Sequence, residues 1–243
     1  MGNEALFLDP NLARFYDIQN PWRQDFTYCT RAAQGARRVL DIGCGTGMLT
    51  VHLAKTATVT GLDPAQAMLD IATERTGGDK VRWICGDVRE MALAETFDLI
   101  VLTGHAFQTL ITDADQAAAL AAIKMHLAPG GQLIFDSRNP EFRVWESWTQ
   151  NDVTTFEDPQ LGTIEQTSTY AMDGEVLTYV DTYRIVETGA SFPSSCRIRF
   201  RPKAGLDKAL NEAGLAASPC FGDWRGAKVQ AANPELVYHV GHI

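Results

Sequence analysis

The sequence predicts an α/β protein: an open, twisted sheet of mainly parallel strands with helices on both faces, interrupted late in the chain by an antiparallel β insertion. Three observations predict it. Short apolar runs at 38–42, 58–62, 81–85, 97–102 and 132–136 alternate with helical patterns, and parallel neighbours require such crossovers, which are right-handed. The first run passes directly into a glycine-rich turn. From 151 to 201 the helical patterns stop, and β-branched alternating segments such as 176–186 and 195–200 replace them.

Taken in order, the first strand carries Val39-Leu40-Asp41-Ile42 into Gly43-Cys44-Gly45-Thr46-Gly47. After the second, Asp63 stands as a helix cap with Pro64 at the first helical position. Ala65, Met68, Leu69 and Ala72 then share one face until Gly77-Gly78 stops the helix. The alanine-rich stretch 113–127 reads as a helix closed by Pro129-Gly130-Gly131. Within the insertion, Asp173-Gly174 has the positive-φ tolerance of a type I′ hairpin turn. A helix over 202–213 and two strands around 220–224 and 236–240 close the sheet as a hairpin. The whole reads as one domain over 1–243: a ligand-binding core at 35–137, the insertion at 151–201, and a C-terminal helix and hairpin at 202–243.

Composition narrows the function. The 243 residues, 45% hydrophobic and 21% charged, suffice for one large core. Thirty acidic against twenty-one basic residues leave a net charge of −9, the wrong sign for gripping phosphate backbones over a broad surface; no nucleic-acid partner is expected. Apolar runs of a few residues fall far short of the roughly 20 needed to span a bilayer, so no membrane partner is expected. Residues 1–12 lack a secretory pattern, and the cytoplasm is the expected compartment. The five cysteines are widely spaced without a C-x-x-C pair, which suggests reduced, mostly buried thiols and neither a disulfide framework nor a metal site.

The chemistry concentrates around the glycine turn. Gly43, Gly45 and Gly47 permit positive φ and let a ligand lie against the main chain at the carboxyl edge of the sheet, where a nucleoside is expected. Asp63, 20 residues after Gly43, stands where a carboxylate accepts from ribose hydroxyls, a role compatible with capping the helix behind it. In Cys85-Gly86-Asp87-Val88, Asp87 can accept from an adenine amino group while the Val88 N–H donates to the ring; the other reading is a plain turn residue.

On these residues the chain resembles the small-molecule branch of the class I S-adenosylmethionine-dependent methyltransferases. Residues 39–47 are similar to the family's first motif, with Asp41 two positions before the first glycine. Leu62-Asp63-Pro64 resembles its ribose motif and Gly86-Asp87-Val88 its adenine site. Phe97-Asp98-Leu99-Ile100-Val101 resembles its fourth strand, and Leu127-Ala128-Pro129-Gly130-Gly131 the turn before its fifth. The resemblance implies a Rossmann-like seven-stranded sheet and S-adenosyl-L-methionine as methyl donor. It implies that Asp41, Gly43 and Gly45 border the donor's methionine part and that Asp63 holds the ribose. Pro64 and Met68 would pack near ribose and adenine, and Gly86, Asp87 and Val88 would form the adenine corner. The Thr103 carbonyl would accept from the methionine amino group, and Tyr16, beside Asp17, would cap the carboxylate; simple packing is the other reading of Tyr16.

Two rivals are weighed. A nicotinamide-dependent dehydrogenase explains the strand, the glycines and Asp63, but its fingerprint is G-x-G-x-x-G, whereas position 48 is Met and Asp41 has no role in it. A non-catalytic nucleoside-binding or regulatory protein would keep the donor pocket and lack acceptor chemistry.

Methyl transfer from a sulfonium is an in-line displacement that mainly needs alignment and exclusion of water, so the sequence says less about the acceptor. Its pocket is expected after the fourth and fifth strands. His105, in Thr103-Gly104-His105-Ala106-Phe107-Gln108, is the candidate catalytic histidine or else a structural one. Gln108, Arg138 and Trp145 are the candidate substrate residues. Trp145 and Trp148, at a helical spacing, form an aromatic wall or join the domain to the insertion. Arg197, Arg199 and Arg201 share a strand face that could meet an anionic substrate, but Glu165, Asp181 and Glu187 nearby read as partners in a solvated ion-pair face. The tetrad of DNA amino-methylating enzymes is absent after the fourth strand. A small-molecule acceptor is therefore expected, methylated at nitrogen in preference to oxygen or carbon, with the insertion as lid; its strand edges point to a homodimer.

Overall fold

The computed structural model describes residues 5–243. Three single-turn helices, α1 (Ala5–Leu8), α2 (Pro10–Ala13) and α3 (Tyr16–Gln19), precede α4 (Gln24–Ala32). The core then alternates β1 (Arg38–Ile42), α5 (Met48–Leu53), β2 (Thr58–Asp63), α6 (Gln66–Glu74), β3 (Val81–Cys85), β4 (Phe97–Leu102), α7 (Asp113–His126) and β5 (Leu127–Arg138). The insertion is β6 (Asp152–Asp158), β7 (Gly162–Asp173), β8 (Val176–Ile185) and β9 (Ser191–Arg199). The chain closes with α8 (Lys203–Glu212), β10 (Leu215–Phe221) and β11 (Glu235–His242).

The seven-stranded sheet has the order β10-β11-β5-β4-β1-β2-β3. Its five core strands are parallel, and β11 and β10 join antiparallel at one edge. Strand alternation explains the two layers. Leu40, Ile42, Ile100, Leu133 and Phe135 face α7 and α8 in the larger core, while Val39, Val59, Leu99, Val101 and Ile134 face α4 and α5 in the other. Both faces are buried, as a sheet flanked by crossover helices requires. The order reverses between β1 and β4, so their carboxyl ends diverge and open a crevice.

The insertion forms a separate antiparallel sheet, β6-β7-β8-β9. Leu12 and Phe15 pack on its Ile164, Tyr183 and Ile185, while Ala13 and Tyr16 pack on Ala65 and Met68. The N-terminal helices thus wedge between insertion and core and hold one above the other.

Several local expectations shift. The helix after β2 starts at Gln66 with Ala65 as its N-cap; the Asp63 carboxylate binds the Ala65 N–H at 2.8 Å instead of placing Pro64 inside the helix. That helix ends at Glu74 because Arg75 is already extended, three residues short of the glycines. β5 begins as α7 ends, and Pro129-Gly130-Gly131 lies within it, where the register against β4 shifts between Phe97 and Leu99. Asp173 pairs with Val176, so Gly174 and Glu175 form the hairpin loop. Gly174 has positive φ and Glu175 does not, the pattern of a type II′ turn and not of type I′. The penultimate strand ends at Phe221 instead of spanning 220–224. The arginine face is solvated only in part: Arg197 is exposed, Arg199 pairs with Glu175 and Asp113, and Glu165 pairs with Arg184, but Arg201 is 4% exposed and binds the Ile111 and Thr112 carbonyls, and Asp181 is buried on the opposite, inward face. The thiols are more varied than expected, with Cys29 and Cys196 buried, Cys44 and Cys220 half-buried and Cys85 exposed. Among the described residues no helix is long and apolar enough to cross a membrane.

Candidate active site

At the crevice the chain turns over Gly43, Gly45 and Gly47, with φ of 67°, 53° and 75°, conformations that glycine adopts without strain. The turn is tied to the end of β2. The N–H groups of Gly43 and Cys44 donate to the Leu62 carbonyl at 2.8 and 3.2 Å. The Asp63 carboxylate accepts from Gly45 N–H and Ala65 N–H, each at 2.8 Å. Burial raises the Asp63 pKa, and the two amides oppose that rise. A Cβ on Gly43 would press on Ala106 at 3.2 Å, whereas one on Gly45 would make ordinary contact with the Tyr16 ring at 3.8 Å, so positive φ calls for glycine at both positions and space only at the first.

A cavity of about 650 Å³ runs from this turn to the underside of the insertion, within the range of ligand pockets. Gly43, Gly45, Asp63 and Tyr16 line one end. Pro64, Met68, Gly86, Asp87 and Val88 line the corner beside it, and Thr103 and His105 lie where β4 ends. Asp87 does more than turn the chain. Its carboxylate accepts from Arg89 Nε at 3.0 Å and Nη2 at 2.5 Å, and the same guanidinium reaches Asp115 at 2.5 Å. Bonding to Arg89 holds the Asp87 pKa below the usual carboxylate range.

Behind the glycine turn a small recess is lined by Tyr16, Arg23, Asp41, Thr103 and Gly104. Burial pushes the Asp41 carboxyl up to about 7 although Thr50 Oγ1 donates to it at 2.6 Å. Burial pushes Tyr16 up to about 12, so its hydroxyl is a neutral donor. Among the described residues Arg23 Nε is buried without a hydrogen-bond partner. The Arg23 guanidinium pairs loosely with Asp25 through Nη2 at 3.5 Å and keeps Nε unsatisfied; with a neutral phenol and a main-chain cradle it fits the carboxylate and amino groups of a methionyl nucleoside. Sequence reasoning passed over Arg23, which precedes α4 in no motif.

His105 is the strained residue of the site, a non-glycine with φ of 63°. This conformation aims both its main chain and its ring at carboxylates. Its N–H donates to Asp136 Oδ1 at 3.1 Å, and Nε2 lies 2.9 Å from Glu235 Oε2 and 3.4 Å from Asp136 Oδ2. Burial holds the His105 pKa down to about 4, and pushes Asp136 up to about 6 and Glu235 up to about 7. A carboxylate accepts, which places the ring proton on Nε2 and leaves Nδ1 as acceptor. One ligand atom from each of the three lies within 4.8 Å of the others, a set with the chemistry to hold a metal as well as a proton. Glu235 was not foreseen: it is the first residue of β11 and reaches His105 only because β11 pairs antiparallel with β5, placing it opposite Arg138.

The roof is the inward face of the insertion. Gln166, Ser168 and Tyr170 of β7, Tyr179 and Asp181 of β8, and Cys196 and Ile198 of β9 line the cavity at alternate positions, as a pleated sheet requires, and the exposed Arg197 between the last two borders it as well. Ser168, Asp181 and Ser194 stand opposite one another across the strands, and Ser168 Oγ donates to Asp181 at 2.5 Å.

The three substrate candidates separate. Arg138 lines the cavity, but Gln108 and Trp145 do not. Gln108 is 1% exposed; its Oε1 accepts from Arg138 Nη1 at 3.0 Å and its Nε2 donates to the Arg199 carbonyl. Trp145 packs edge-on against Phe200, 4.5 Å between centroids, in the cluster that joins insertion to core. Trp148 lines the cavity in its place. No helix carries the pair: two short 3₁₀ turns occupy 140–142 and 144–147, and Trp148 is extended.

Residues 39–131 match the family described as a methyltransferase domain. A malonyl acyl-carrier protein O-methyltransferase from Bacillus cytotoxicus is 35% identical over 105 residues, 42% of this chain and 35% of that protein. A cypemycin N-terminal methyltransferase from Streptomyces is 32% identical over 105 residues, 43% of each chain. The matched region thus spans less than half the length of these curated relatives. Solved structures align over nearly the full chain. A SAM-bound amino pentose methyltransferase from Micromonospora echinaspora is 27% identical with a TM-score of 0.70, covering 98% of this chain and 99% of that one. An S-adenosylmethionine-dependent methyltransferase from Clostridium acetobutylicum is 20% identical with a TM-score of 0.80, covering 96% and 98%.

Proposed function

We propose that this chain, a member of the class I S-adenosylmethionine-dependent methyltransferases, methylates a small molecule, and that the accepting atom is nitrogen. The single observation that carries the reading is the continuity of one cavity from the donor crevice, past His105, to a polar roof. The bound donor supplies an already activated methyl group. Gly43 and Gly45 admit it, Asp63 holds its ribose, and Gly86, Asp87 and Val88 form its adenine corner, with Pro64 and Met68 packed alongside. Tyr16, Arg23, Asp41 and the Thr103 carbonyl surround its methionine end.

The chain's own task is alignment and proton removal. An ammonium acceptor must lose a proton to become a nucleophile. His105 is neutral and presents Nδ1 as acceptor. It takes that proton while its Nε2 proton passes to Glu235, the stronger base of the two. The relay never needs a charged imidazole at rest, which suits a histidine this desolvated. Asp136 fixes the His105 main chain and adds negative charge beside the ring. The similar proteins include both an O-methyltransferase and a sugar N-methyltransferase; a proton relay of this kind favours nitrogen, whose protonated form needs it most.

Free cysteines suit a reducing compartment such as the cytoplasm. Exposed residues along the edge strand β6, Val153 among them, suit pairing of two copies through the insertion, which sedimentation would test. The deciding experiment is a donor-consumption screen against amines, amino sugars and carboxylic acids, with the new methyl located by mass spectrometry. Transfer to oxygen alone would overturn the nitrogen assignment, and a donor bound but never consumed would favour a regulatory protein.

A further inference from the structure

Arg138 closes β5 at the carboxyl edge of the sheet and lines the cavity. Its partners are neutral. Gln108 Oε1 accepts from its Nη1 at 3.0 Å and from its main-chain N–H at 3.3 Å, and the Trp148 ring lies 5.7 Å from its guanidinium carbon. Gln108 is itself locked, because its Nε2 donates to the Arg199 carbonyl at 3.1 Å. The side chain is therefore aimed, not merely tolerated.

Among the described residues no carboxylate comes within the 4 Å of an ion pair with Arg138, whereas Arg14, Arg75, Arg89, Arg184 and Arg199 each have at least one; Arg197, which also borders the cavity, is exposed and has no neutral brace of this kind. Glu235 and Asp136 are near enough to act on its charge but are turned to His105. Burial lowers the Arg138 pKa from its ordinary value, yet a guanidinium keeps its proton in a protein. A half-buried, permanently charged fork oriented by neutral groups is complementary to a planar or tetrahedral oxyanion that binds two of its N–H groups at once. In the roof Asp181, held by Ser168, faces the same cavity with an acceptor carboxylate.

Resting on the methyl-transfer reading, we infer that the acceptor carries an oxyanion, a carboxylate or a phosphate, bound by Arg138 while its nucleophile faces His105.

The test uses matched pairs with the full chain: 3-aminobenzoate against 3-aminobenzamide for the carboxylate, and glucosamine 6-phosphate against glucosamine for the phosphate. In at least one pair the anionic member is expected to be methylated about tenfold or more faster in kcat/KM. R138Q is expected to erase that preference, R138K to restore part of it, and donor affinity to stay within about twofold. The pair that responds identifies the anion. Equal turnover of both members in the wild type overturns the inference and leaves methyl transfer standing. So does an R138Q variant that shifts the pH profile yet keeps the preference, since Arg138 would then act only as counter-charge to Glu235. Should no pair be methylated, calorimetric titration of benzoate and inorganic phosphate into protein saturated with S-adenosylhomocysteine decides the point. Binding lost in R138Q supports the inference, and binding absent or indifferent to the substitution overturns it.

Discussion

The two walls of the cavity are built on opposite principles. The donor wall is made largely of main chain, contributed by short segments that each follow the end of a parallel strand: the turn after β1, Asp63 to Met68 after β2, Gly86 to Val88 after β3, and Thr103 to His105 after β4. The acceptor wall is made of side chains, contributed by alternate residues of three antiparallel strands that only their register brings together. Main-chain walls are specified by what is absent, a Cβ at positions whose φ is positive. Side-chain walls are specified by what is present and can be exchanged residue by residue without altering the sheet. A donor shared by many relatives and an acceptor peculiar to each would call for this division.

The comparison predicts where substitution hurts. The largest effect is expected from Asp63→Ala, which strips the acceptor from the Gly45 and Ala65 N–H groups as well as from the proposed ribose contact. Donor affinity should fall by about 1,000-fold, on the order of 4 kcal/mol from several charged hydrogen bonds at about 1.5–3 each. Calorimetry checks this, and unchanged affinity would remove Asp63 from the donor wall. Next comes Glu235→Gln, at the seam between the walls. Turnover should drop about 100-fold, the usual yield of a positioned acid–base group, with donor affinity intact. The wild-type rate should rise with pH through about 7, as Glu235 ionises, and the variant should lose that dependence. The same group bears on stability with the opposite sense. Its folded pKa lies above the ordinary 4.5, so its contribution is complete below 4.5 and is lost as pH rises through 7. Glu235→Gln should therefore melt higher than the wild type at pH 8 while working worse. A third effect, about tenfold in acceptor KM, is expected of Asp181→Asn, which keeps the shape of the roof and removes its charge. If donor affinity moved instead, the two walls would not be separable.

The same division explains what could be read from the chain. β1, β3 and β4 were legible to the residue because an apolar run bounded by turn residues is a local signal, and so was the glycine turn. The hairpin loop was misread by one residue because Asp173-Gly174 and Gly174-Glu175 both contain the glycine, and only the pairing of Asp173 with Val176 decides between them. Trp145 and Trp148 read as an aromatic wall or as a link between domain and insertion; Trp145 takes the second part, packed on Phe200, while Trp148, extended after the 3₁₀ turn at 144–147, lines the cavity. Glu235 and Asp181 were invisible as site residues for one reason: Glu235 reaches His105, and Asp181 the cavity, through antiparallel register, which links positions far apart in sequence and leaves no local pattern.

The smallest effect tests whether the donor wall is as independent of side chains as its main-chain character implies. Asp87 is braced from outside the cavity, since Arg89 grips both it and Asp115, and Asp115 forms the capping box of α7 with Thr112. Thr112 Oγ1 accepts the Asp115 N–H at 3.0 Å and donates to its carboxylate at 2.7 Å. Thr112→Ala removes the cap, at about 1 kcal/mol, or about 2–4 °C in Tm for a domain of this size. It also removes one of the three hydrogen bonds to the Asp115 carboxylate, with the main-chain N–H of residue 112 and Arg89 left as the others. If the adenine corner is held by its own turn, where the Asp87 carboxylate accepts the Arg89 N–H at 2.9 Å, donor affinity should change by less than about twofold. A tenfold loss would mean that α7 positions Asp87 through Arg89, making the adenine corner a side-chain wall like the roof.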